Sequence, residues 1–340
     1  MTYNIAVVGA TGNVGREILK ILAERQFPIL KIHAIASKAS QGKEVPFRDQ
    51  TLTATPLEEF DFTGIDLVLS SAGAQVSKQF ADKAAAAGAV VIDNSSAFRM
   101  DEDVPLIVPE VNWQALENYK KRRIIGSPNC VAIPLAIALK PLHEAAPIKR
   151  VIVATYQSTS GAGRHAMDEL FEQTKNICAN KDCEKKVFPK QIAFNVIPHI
   201  DSFVNEGQTG EEEKVANETR KILNHPIPIF ATCVRVPTFI SHAMAVTVEF
   251  KSRLTDEEAR NLLNQAPGVK IIDHPKDAAY ITPIEAAQKD EVFISRIRKD
   301  PTVEHGLALW IVADNLRKGA ALNTVQIAES LIRNYSISRN

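Results

Sequence analysis

Short apolar runs and segments with helical spacing alternate along the first part of the chain. Four runs have the composition of strands that are buried on both faces: residues 5–8, 32–36, 65–71 and 89–93. Helical spacing of apolar residues continues from Val14 to Leu22, and a second helical segment, residues 75–87, is closed by Gly88. This alternation predicts parallel strands joined by crossover helices, which form a doubly wound α/β sheet.

The later part of the chain has longer strand-like runs at residues 149–157 and 232–248, and residues 306–321 have the pattern of a strand followed by a helix start. Helices are predicted over residues 164–177, from Gly210, and from a capping box at residues 255–258. A length of 340 residues suits two domains, so we expect a second, α+β domain with a mixed sheet. A last helix, residues 324–333, is expected to return to the first domain.

Residues 127–134 join the two halves. A β-rich run ends at Gly126, and Pro134 suits the first turn of the helix that follows. Cys130 therefore lies just before or inside that turn, where the helix dipole stabilises a thiolate, the nucleophilic form of cysteine. The alternative is that Cys130 is a small buried hydrophobic residue, as free cysteines often are.

Three glycines, Gly9, Gly12 and Gly15, lie between the first strand and the first helix. Such a turn lets the backbone approach a pyrophosphate, which the helix dipole attracts, so it predicts a dinucleotide site. The spacing is G-x-x-G-x-x-G rather than the commoner G-x-G-x-x-G, and a turn that serves packing alone is the alternative.

The second strand ends in Ser37-Lys38-Ala39-Ser40, where an NAD site usually has an acidic residue for the ribose 2′-hydroxyl. Hydroxyls and lysines suit a 2′-phosphate instead, and this favours NADP over NAD. An ordinary solvated loop is the alternative, because lysines are common in loops.

Five further side chains are candidates for binding or catalysis. Arg99 follows the carboxyl end of a predicted parallel strand, and Glu211 and Lys214 share a helix face, although exposed ion pairs would explain all three. Arg235 could bind a carboxylate with two parallel hydrogen bonds. His242 could serve as a general acid or base, although a lone histidine is more often structural.

Two other segments bear on the chemistry. Residues 158–163 (Ser-Thr-Ser-Gly-Ala-Gly) predict a flexible polar loop next to the expected cofactor. Cys178 and Cys183 lack a second pair of ligands at matching spacing, so we expect no metal site and interpret both cysteines as structural or exposed.

Lysine plus arginine equals aspartate plus glutamate at 40 each, so the formal net charge is zero. No basic excess indicates nucleic-acid binding, and no charged block indicates a membrane surface. Four cysteines form no disulfide framework, and a nucleophilic thiol needs a reducing compartment. No cleavable apolar segment precedes the first strand, and no apolar run reaches the roughly 18 residues that span a bilayer. We therefore expect a cytoplasmic protein.

Five motifs together resemble the aspartate-β-semialdehyde dehydrogenase family over essentially the whole chain. They are residues 9–15 (GATGNVG), 127–130 (SPNC), 157–163 (QSTSGAG), 235–237 (RVP) with His242, and 313–320 (ADNLRKGA). The resemblance implies reversible, NADP-dependent reductive dephosphorylation of L-aspartyl-4-phosphate to L-aspartate-4-semialdehyde and phosphate. This is a shared early step towards lysine (through diaminopimelate), methionine and threonine.

The resemblance also implies a domain organisation. Residues 1–129 with 316–340 would form a Rossmann-type NADP-binding domain, and residues 130–315 a catalytic and dimerisation domain. The expected assembly is a homodimer built through the second domain.

Roles for individual residues follow from the same resemblance. Cys130 matches the nucleophile and His242 the acid–base residue. The expected substrate contacts are Arg99 and Lys214 for phosphate, Glu211 for the amino group, Arg235 for the carboxylate, Gln157 for the acyl group, and Asn129 beside the nucleophile. The expected cofactor contacts are Gly9, Thr11, Gly12, Asn13, Val14, Ser37, Lys38, Ser40, Ser160, Gly161 and Asn315. Many members have an Arg-Ser pair where this chain has Ala39-Ser40, a departure for which Lys38 could compensate.

Three other functions remain open at this point. N-acetyl-glutamyl-phosphate reductases catalyse the same type of reaction but typically have glycine where this chain has Asn129. Glyceraldehyde-phosphate dehydrogenases match the surroundings of Cys130 less well. A non-catalytic NADP-sensing protein would need neither a reactive thiol nor the pair of Arg235 and His242.

Overall fold

The computed structural model describes residues 1–335 and 337, and the chain forms two compact units. The first comprises residues 1–129 with 320–340, and the second residues 130–319. The strands are β1 (Tyr3–Val8), β2 (Ile29–Ala36), β3 (Glu44–Phe47), β4 (Gln50–Thr53), β5 (Thr55–Pro56), β6 (Leu67–Ser70), β7 (Val90–Asp93), β8 (Ile124–Gly126), β9 (Ile148–Gln157), β10 (Ile229–Arg235), β11 (His242–Phe250), β12 (Val269–Ile271), β13 (Val292–Lys299) and β14 (Gly306–Ala313). The helices are α1 (Asn13–Glu24), α2 (Ala74–Ala86), α3 (Pro109–Asn112), α4 (Ala132–Ala145), α5 (Arg164–Cys178), α6 (Gly210–Leu223), α7 (Asp256–Gln265), α8 (Pro283–Ala286) and α9 (Leu322–Asn334).

The first unit contains a six-stranded sheet in the order β5-β2-β1-β6-β7-β8, in which every pair is parallel. Its central strands are apolar and buried because helices cover both faces. Helix α1 packs on one face, and α2 packs on the other. The predicted doubly wound α/β sheet is therefore confirmed.

Helix α9 packs in the first unit, as the sequence predicted. Its apolar residues Leu322, Val325 and Leu331 are buried in the same core as the apolar face of α1. The chain thus leaves the first unit at Asn129 and returns to it at Ala320.

The hairpin of β3 and β4 was not predicted. Each strand has four residues, and Pro46 lies inside β3, so the sequence has no strand pattern of useful length. Val45 and Phe47 nevertheless point into the core beside α1, which anchors the hairpin.

The second unit contains a mixed six-stranded sheet in the order β10-β9-β11-β14-β13-β12. Its end pairs, β10 with β9 and β12 with β13, are parallel, and the inner pairs are antiparallel. Helices α4, α6 and α7 pack together on it, and α4 is apolar and buried over most of its length. The predicted mixed sheet is confirmed, although the sequence analysis had not identified β12 and β13.

One surface of the second sheet carries large apolar side chains that remain partly exposed in this unit. Ile152 and Tyr156 on β9 are 40 % and 38 % exposed, and Phe230 on β10 is 58 % exposed. Ile152 pairs with Phe230 in register, and the Tyr156 ring lies 5.5 Å from that of Trp310 on β14. We call these four residues the open face.

Within the described part of the chain, none of the helices combines the length and the apolar character needed to cross a lipid bilayer.

Candidate active site

One row of residues crosses four neighbouring strands at a single edge of the second sheet. Backbone pairing places Arg235 opposite Gln157, Gln157 opposite His242, and His242 opposite Ala313. The side chains of Arg235, Gln157 and His242 are all buried. Since adjacent strands lie about 4.8 Å apart, the sheet brings together residues that are distant in the sequence.

The segment that follows Gln157 is a fixed turn. Ser158, Thr159 and Ser160 are buried, and the backbone N–H groups of Thr159 and Ser160 donate to the carbonyls of Thr238 and Phe239 at 2.9 and 3.0 Å. The predicted polar loop at residues 158–163 thus contains a hydrogen-bonded turn whose first three residues are buried, which the sequence did not indicate. The hydrogen bonds that order this turn come from a segment about 80 residues away, so no local pattern indicates them.

The His242 ring is fully buried at the start of β11. Its Nδ1 accepts a hydrogen bond from the backbone N–H of Ser158 at 3.0 Å, and the Ser158 hydroxyl lies 3.1 Å from the same nitrogen. Its Nε2 has no hydrogen-bond partner among residues 1–335 and 337. Burial, and then the nearby Arg235 charge, lowers the pKa of His242 to about 3, so the ring is neutral at neutral pH.

Gly161 leaves room for Arg235 and His242 to converge. A Cβ at Gly161 would lie 2.9 Å from Arg235 Nη1 and 3.1 Å from His242 Nε2, so these two nitrogens are at most about 6 Å apart. Arg235 Nη1 also donates to the Ser158 carbonyl at 2.7 Å. A guanidinium and an imidazole nitrogen therefore face the same small space.

Glu211 belongs to this cluster. It lies in the first turn of α6, and its Oε1 accepts from Gln157 Nε2 at 3.0 Å. Burial lowers the pKa of Arg235, and the nearby Glu211 carboxylate opposes that shift, as Cys130 does. The exposed ion pair considered for Glu211 is therefore wrong, because its carboxylate is buried.

Lys214 lies one turn further along α6. Its Nζ contacts the carboxylate of Asp201 and lies 3.9 Å from Glu211 Oε2. This pairing lowers the pKa of Asp201. Asp201 itself has a left-handed backbone (φ 71°), and its carboxylate accepts from the N–H of Ser202 at 2.8 Å.

Cys130 lies two residues before the first residue of α4, so its predicted position at a helix start is confirmed. The residue is partly exposed, unlike a structural cysteine of the core. Cys233, by contrast, is fully buried on β10, and burial raises the pKa of its thiol well above the usual range. Gly319 adjoins the nucleophile candidate, because a Cβ at Gly319 would lie 3.0 Å from the Cβ of Cys130.

Asn315 and Ser160 form a hydrogen-bond network behind His242. Asn315 Oδ1 accepts from the backbone N–H of Ser241 at 2.9 Å, from Ser160 Oγ at 3.1 Å and from Ser158 Oγ at 3.2 Å. Asn315 Nδ2 donates back to Ser160 Oγ at 2.9 Å. Both side chains are thus engaged inside the second unit.

In the first unit, the glycine turn has the predicted position between β1 and α1. Gly9 has φ 83°, and a Cβ at Gly15 would lie only 2.1 Å from the Gly9 carbonyl oxygen, so packing requires both glycines. Gly12 is different, because it is exposed and a Cβ there would meet only the same oxygen, at 3.3 Å. Packing therefore constrains Gly12 less than Gly15, and the exposed position leaves its backbone open to a ligand. Thr11, Asn13 and Val14 are partly exposed beside it.

Ser37, Lys38 and Ser40 form a short turn at the carboxyl end of β2, next to β1 in the sheet. Their side chains are exposed or partly exposed, and Lys43 Nζ donates to Ser40 Oγ at 3.3 Å. Two lysines and two hydroxyls therefore share this edge without an acidic neighbour in the turn, a composition that fits a 2′-phosphate.

Arg99 is buried after β7. Its Nε donates to the Ser127 carbonyl at 2.9 Å, and its Nη2 donates to the Asn94 carbonyl at 2.5 Å. The alternative of a surface salt bridge for Arg99 is therefore wrong. Asn129, the last residue of this segment of the first unit, is also buried.

Four residues of these sites were missed by sequence reasoning: Ser158, Ser241, Asp201 and Gly319. Ser158 and Gly319 lie inside motifs that carried the resemblance, which could have drawn attention to them. Ser241 contributes a backbone N–H, and Asp201 is identified only by its contact with Lys214, so neither has a signal in the sequence. No group of three or more side chains that could hold a metal ion occurs in the residues for which the structure gives positions.

Comparisons with known proteins show which family the chain resembles. Family models described as the semialdehyde dehydrogenase NAD-binding domain and the semialdehyde dehydrogenase dimerisation domain match residues 4–119 and 139–318. An aspartate-semialdehyde dehydrogenase of Rickettsia bellii is 51 % identical over 333 residues, covering 98 % of both chains.

Two solved structures are similar over nearly the full length. Aspartate semialdehyde dehydrogenase II of Vibrio cholerae, complexed with ASA, is 45 % identical with a TM-score of 0.97, covering 99 % of this chain and 100 % of that one. Aspartate semialdehyde dehydrogenase of Candida albicans, solved with NADP, is 25 % identical with a TM-score of 0.77, covering 98 % and 99 %. The chain belongs to the semialdehyde dehydrogenase family.

Proposed function

We propose that this chain is an NADP-dependent, phosphorylating dehydrogenase that interconverts L-aspartyl-4-phosphate with L-aspartate-4-semialdehyde and phosphate. The observation that carries the proposal is the buried row of Arg235, Gln157 and His242 in a chain that matches aspartate-semialdehyde dehydrogenases over its full length. Such an enzyme supplies the precursor of lysine, through diaminopimelate, and of methionine and threonine.

The charges of the cluster match those of an amino acid. Arg235 offers a guanidinium for the α-carboxylate, and the buried Glu211 offers a carboxylate for the α-ammonium group. Gln157, which hydrogen-bonds to Glu211, lies between Arg235 and His242 in the row and is placed to orient the acyl group. Burial of both charged groups strengthens their interactions with a substrate that displaces water.

The Cys130 thiolate is the proposed nucleophile. It attacks the acyl phosphate carbon, the carbon–oxygen bond to phosphate breaks, and a thioester to Cys130 remains. Lys214 offsets the negative charge of the leaving phosphate, and the resemblance implies the same role for Arg99. The roles of Arg99 and Asn129 are predictions from the resemblance alone.

The glycine turn of the first unit fits a dinucleotide, and we propose that Gly9 and residues 11–14 hold its pyrophosphate. Ser37, Lys38 and Ser40 would hold the 2′-phosphate of NADP, and the resemblance implies further cofactor contacts at Ser160, Gly161 and Asn315. When bound, NADPH supplies the hydride that reduces the thioester. His242 presents Nε2 to the carbonyl oxygen and serves as the proton-transfer group, and collapse of the hemithioacetal regenerates the Cys130 thiol.

The nearest alternative, reduction of N-acetyl-glutamyl phosphate, fits the cluster poorly. An acetylated amino group has no positive charge, so it offers the buried Glu211 carboxylate no charge attraction, whereas the ammonium group of aspartyl phosphate does. A paired assay of the two semialdehydes distinguishes these functions.

We infer that a second copy of this chain covers the open face, because the dimerisation-domain match includes all four of its residues. Packed apolar side chains of this size are characteristic of stable homodimer interfaces. A cytoplasmic location also remains a proposal, supported by the need of a catalytic thiol for a reducing environment.

The test is an assay of the purified protein with aspartate semialdehyde, phosphate and either NADP or NAD. We expect phosphate-dependent reduction of NADP, its almost complete loss in Cys130→Ala, and no loss in Cys178→Ala, which removes an exposed thiol. Activity of the wild type with N-acetyl-glutamate semialdehyde alone, or substantial activity of Cys130→Ala, would reject the proposal.

A further inference from the structure

Hydrogen bonds around His242 determine which ring nitrogen carries the proton. The Ser158 backbone N–H can only donate, and it lies 3.0 Å from Nδ1, so this contact favours a lone pair on Nδ1. A neutral imidazole whose Nδ1 has a lone pair carries its proton on Nε2. This Nε2 is the buried atom that lacks a partner in the described residues and faces the space beside Gly161.

Asn315 contacts the Ser158 side chain, whose backbone N–H donates to His242. One oxygen, Asn315 Oδ1, accepts from Ser158 Oγ, Ser160 Oγ and the N–H of Ser241, the residue before His242. All four residues are at most 4 % exposed. A single amide oxygen therefore joins the turn after β9, the residue that precedes β11, and the segment after β14.

We propose that Asn315 is a positioning residue for His242, and that it acts through Ser158 and Ser241 to hold the ring as a proton donor at Nε2. This inference rests on the proposed function, in which His242 faces the reacting oxygen. It gives Asn315 a role different from the cofactor contact implied by the resemblance, and the two roles have different kinetic consequences.

The advantage of a proton on Nε2 comes from the negative charge that the substrate's carbonyl oxygen acquires during the reaction. When the Cys130 thiolate adds to the substrate carbonyl, the carbonyl oxygen becomes negative, and an N–H at Nε2 stabilises it by a hydrogen bond. The other tautomer would direct a lone pair at the same oxygen and repel it. Fixing the tautomer in advance removes the cost of rearranging the ring during the reaction.

A direct measurement is magic-angle-spinning ¹⁵N NMR of the full-length protein with labelled histidine, at a pH near 7.5. His242→Gln identifies the signals of His242. We expect a neutral ring protonated at Nε2 in the wild type and a mixture of both tautomers in Asn315→Ala. A wild-type ring protonated at Nδ1 would overturn the proposal.

Steady-state kinetics distinguish a positioning role of Asn315 from a role in cofactor binding. Asn315→Ala should lower kcat by roughly 10- to 100-fold, the usual effect of losing a partner that orients a functional histidine, with little change in the KM for NADP. Asn264→Ala, at an exposed position on α7, is the matched control and should keep wild-type kinetics. A raised KM for NADP with normal kcat would identify a cofactor contact and reject the positioning role.

Asn315→Asp provides a second variant that keeps the accepting oxygen. It should retain the Nε2 tautomer and more of kcat than Asn315→Ala, while its added charge moves the acidic limb of the kcat–pH profile to higher pH. If that limb does not move and the tautomer of His242 is the same in all variants, the proposal is wrong. The NMR result holds even if the wild type fails to turn over aspartate semialdehyde, so failure of the proposed function is recognised separately.

Discussion

At the scale of single residues, two glycines keep space free beside the reactive groups. Gly161 borders Arg235 and His242, and Gly319 borders Cys130. A methyl group at Gly161 would contact nitrogens that the proposed reaction uses, and one at Gly319 would press on the Cβ of Cys130. The absence of a side chain is therefore as much a part of this site as the charged groups themselves.

Gly161→Ala tests this view. Its methyl group would lie 2.9 Å from Arg235 Nη1 and 3.1 Å from His242 Nε2, so both side chains must shift. We expect kcat/KM to fall about 100-fold, because a displacement of about 1 Å at a catalytic group has effects of that size. The Tm should also fall somewhat, because the two side chains that must shift are buried.

Gly73→Ala is the control, because a Cβ there meets nothing within 4 Å and the residue has ordinary backbone angles. It should match the wild type in steady-state kinetics. A Gly161→Ala enzyme with normal kcat/KM would show that the space beside Nε2 is not used.

At this scale, the sequence indicated which residues could be reactive better than it indicated which residues they contact. Cys130 was recognisable because a helix start follows it, and Arg235 and His242 because their motif resembles a known one. The contacts of Ser158 with His242 and of Asp201 with Lys214 depend on folding, since neither pair has a local pattern that connects it. For the same reason the turn at residues 158–163 was predicted to be flexible.

At the scale of elements, strand register determines the site. The last residues of β9 and β10 and the first residue of β11 form one row, because β11 is antiparallel to β9. Long apolar strands such as β9 and β14 could be predicted from composition. The register could not, because the pairing of distant strands is a tertiary property.

The glycine turn and α1 offer a matched pair of substitutions. Gly12→Ala should keep the Tm of the wild type but raise the Kd for NADP at least about 10-fold, because the new methyl projects where the backbone would approach the pyrophosphate. Gly15→Ala should lower the Tm instead, since its Cβ would overlap the Gly9 carbonyl oxygen.

Fluorescence titration with NADPH and thermal unfolding measure both effects. An unchanged Kd for NADP in Gly12→Ala would show that the glycine turn serves packing alone. An unchanged Tm in Gly15→Ala would contradict the observed close contact.

At the scale of the whole molecule, the buried neutral His242 makes stability depend on pH. The unfolded chain binds a proton at His242 near pH 6.5, whereas the folded chain does so only near pH 3. Between these values the unfolded state binds more protons, so the free energy of unfolding falls as the pH falls. Above pH 6.5 the group has no such effect.

We expect His242→Gln to remove about 2 kcal/mol of the stability loss that the wild type shows between pH 7 and pH 5. Urea unfolding at several pH values measures this difference. His165→Gln, at an exposed histidine, should follow the wild type. Parallel pH dependence of the wild type and His242→Gln would contradict the lowered pKa.

Assembly also belongs to this scale. Phe230→Asp places a charge in the open face and should convert the proposed dimer to a monomer at micromolar concentration, because an unpaired carboxylate is costly to bury. Sedimentation velocity measures the change. Phe171→Asp on α5 is the control, since Phe171 is 57 % exposed, nearly the same as Phe230, but lies outside the sheet. A Phe230→Asp dimer as stable as the wild type would place the interface elsewhere.

If the proposed roles of Arg235 and His242 hold, the row across the sheet also sets the distance between the groups that bind the two ends of the substrate. Arg235 and His242 lie on β10 and β11, on either side of β9, so their backbones are two strand spacings apart, about 10 Å. Hydrogen bonding between strands sets the distance between these two backbones in multiples of one strand spacing. An extra methylene between the carboxylate and the carbonyl of a substrate lengthens the substrate by only a fraction of that spacing. A related enzyme that acts on a longer acid must therefore accommodate it through different side chains and turns, because the spacing between its strands is fixed.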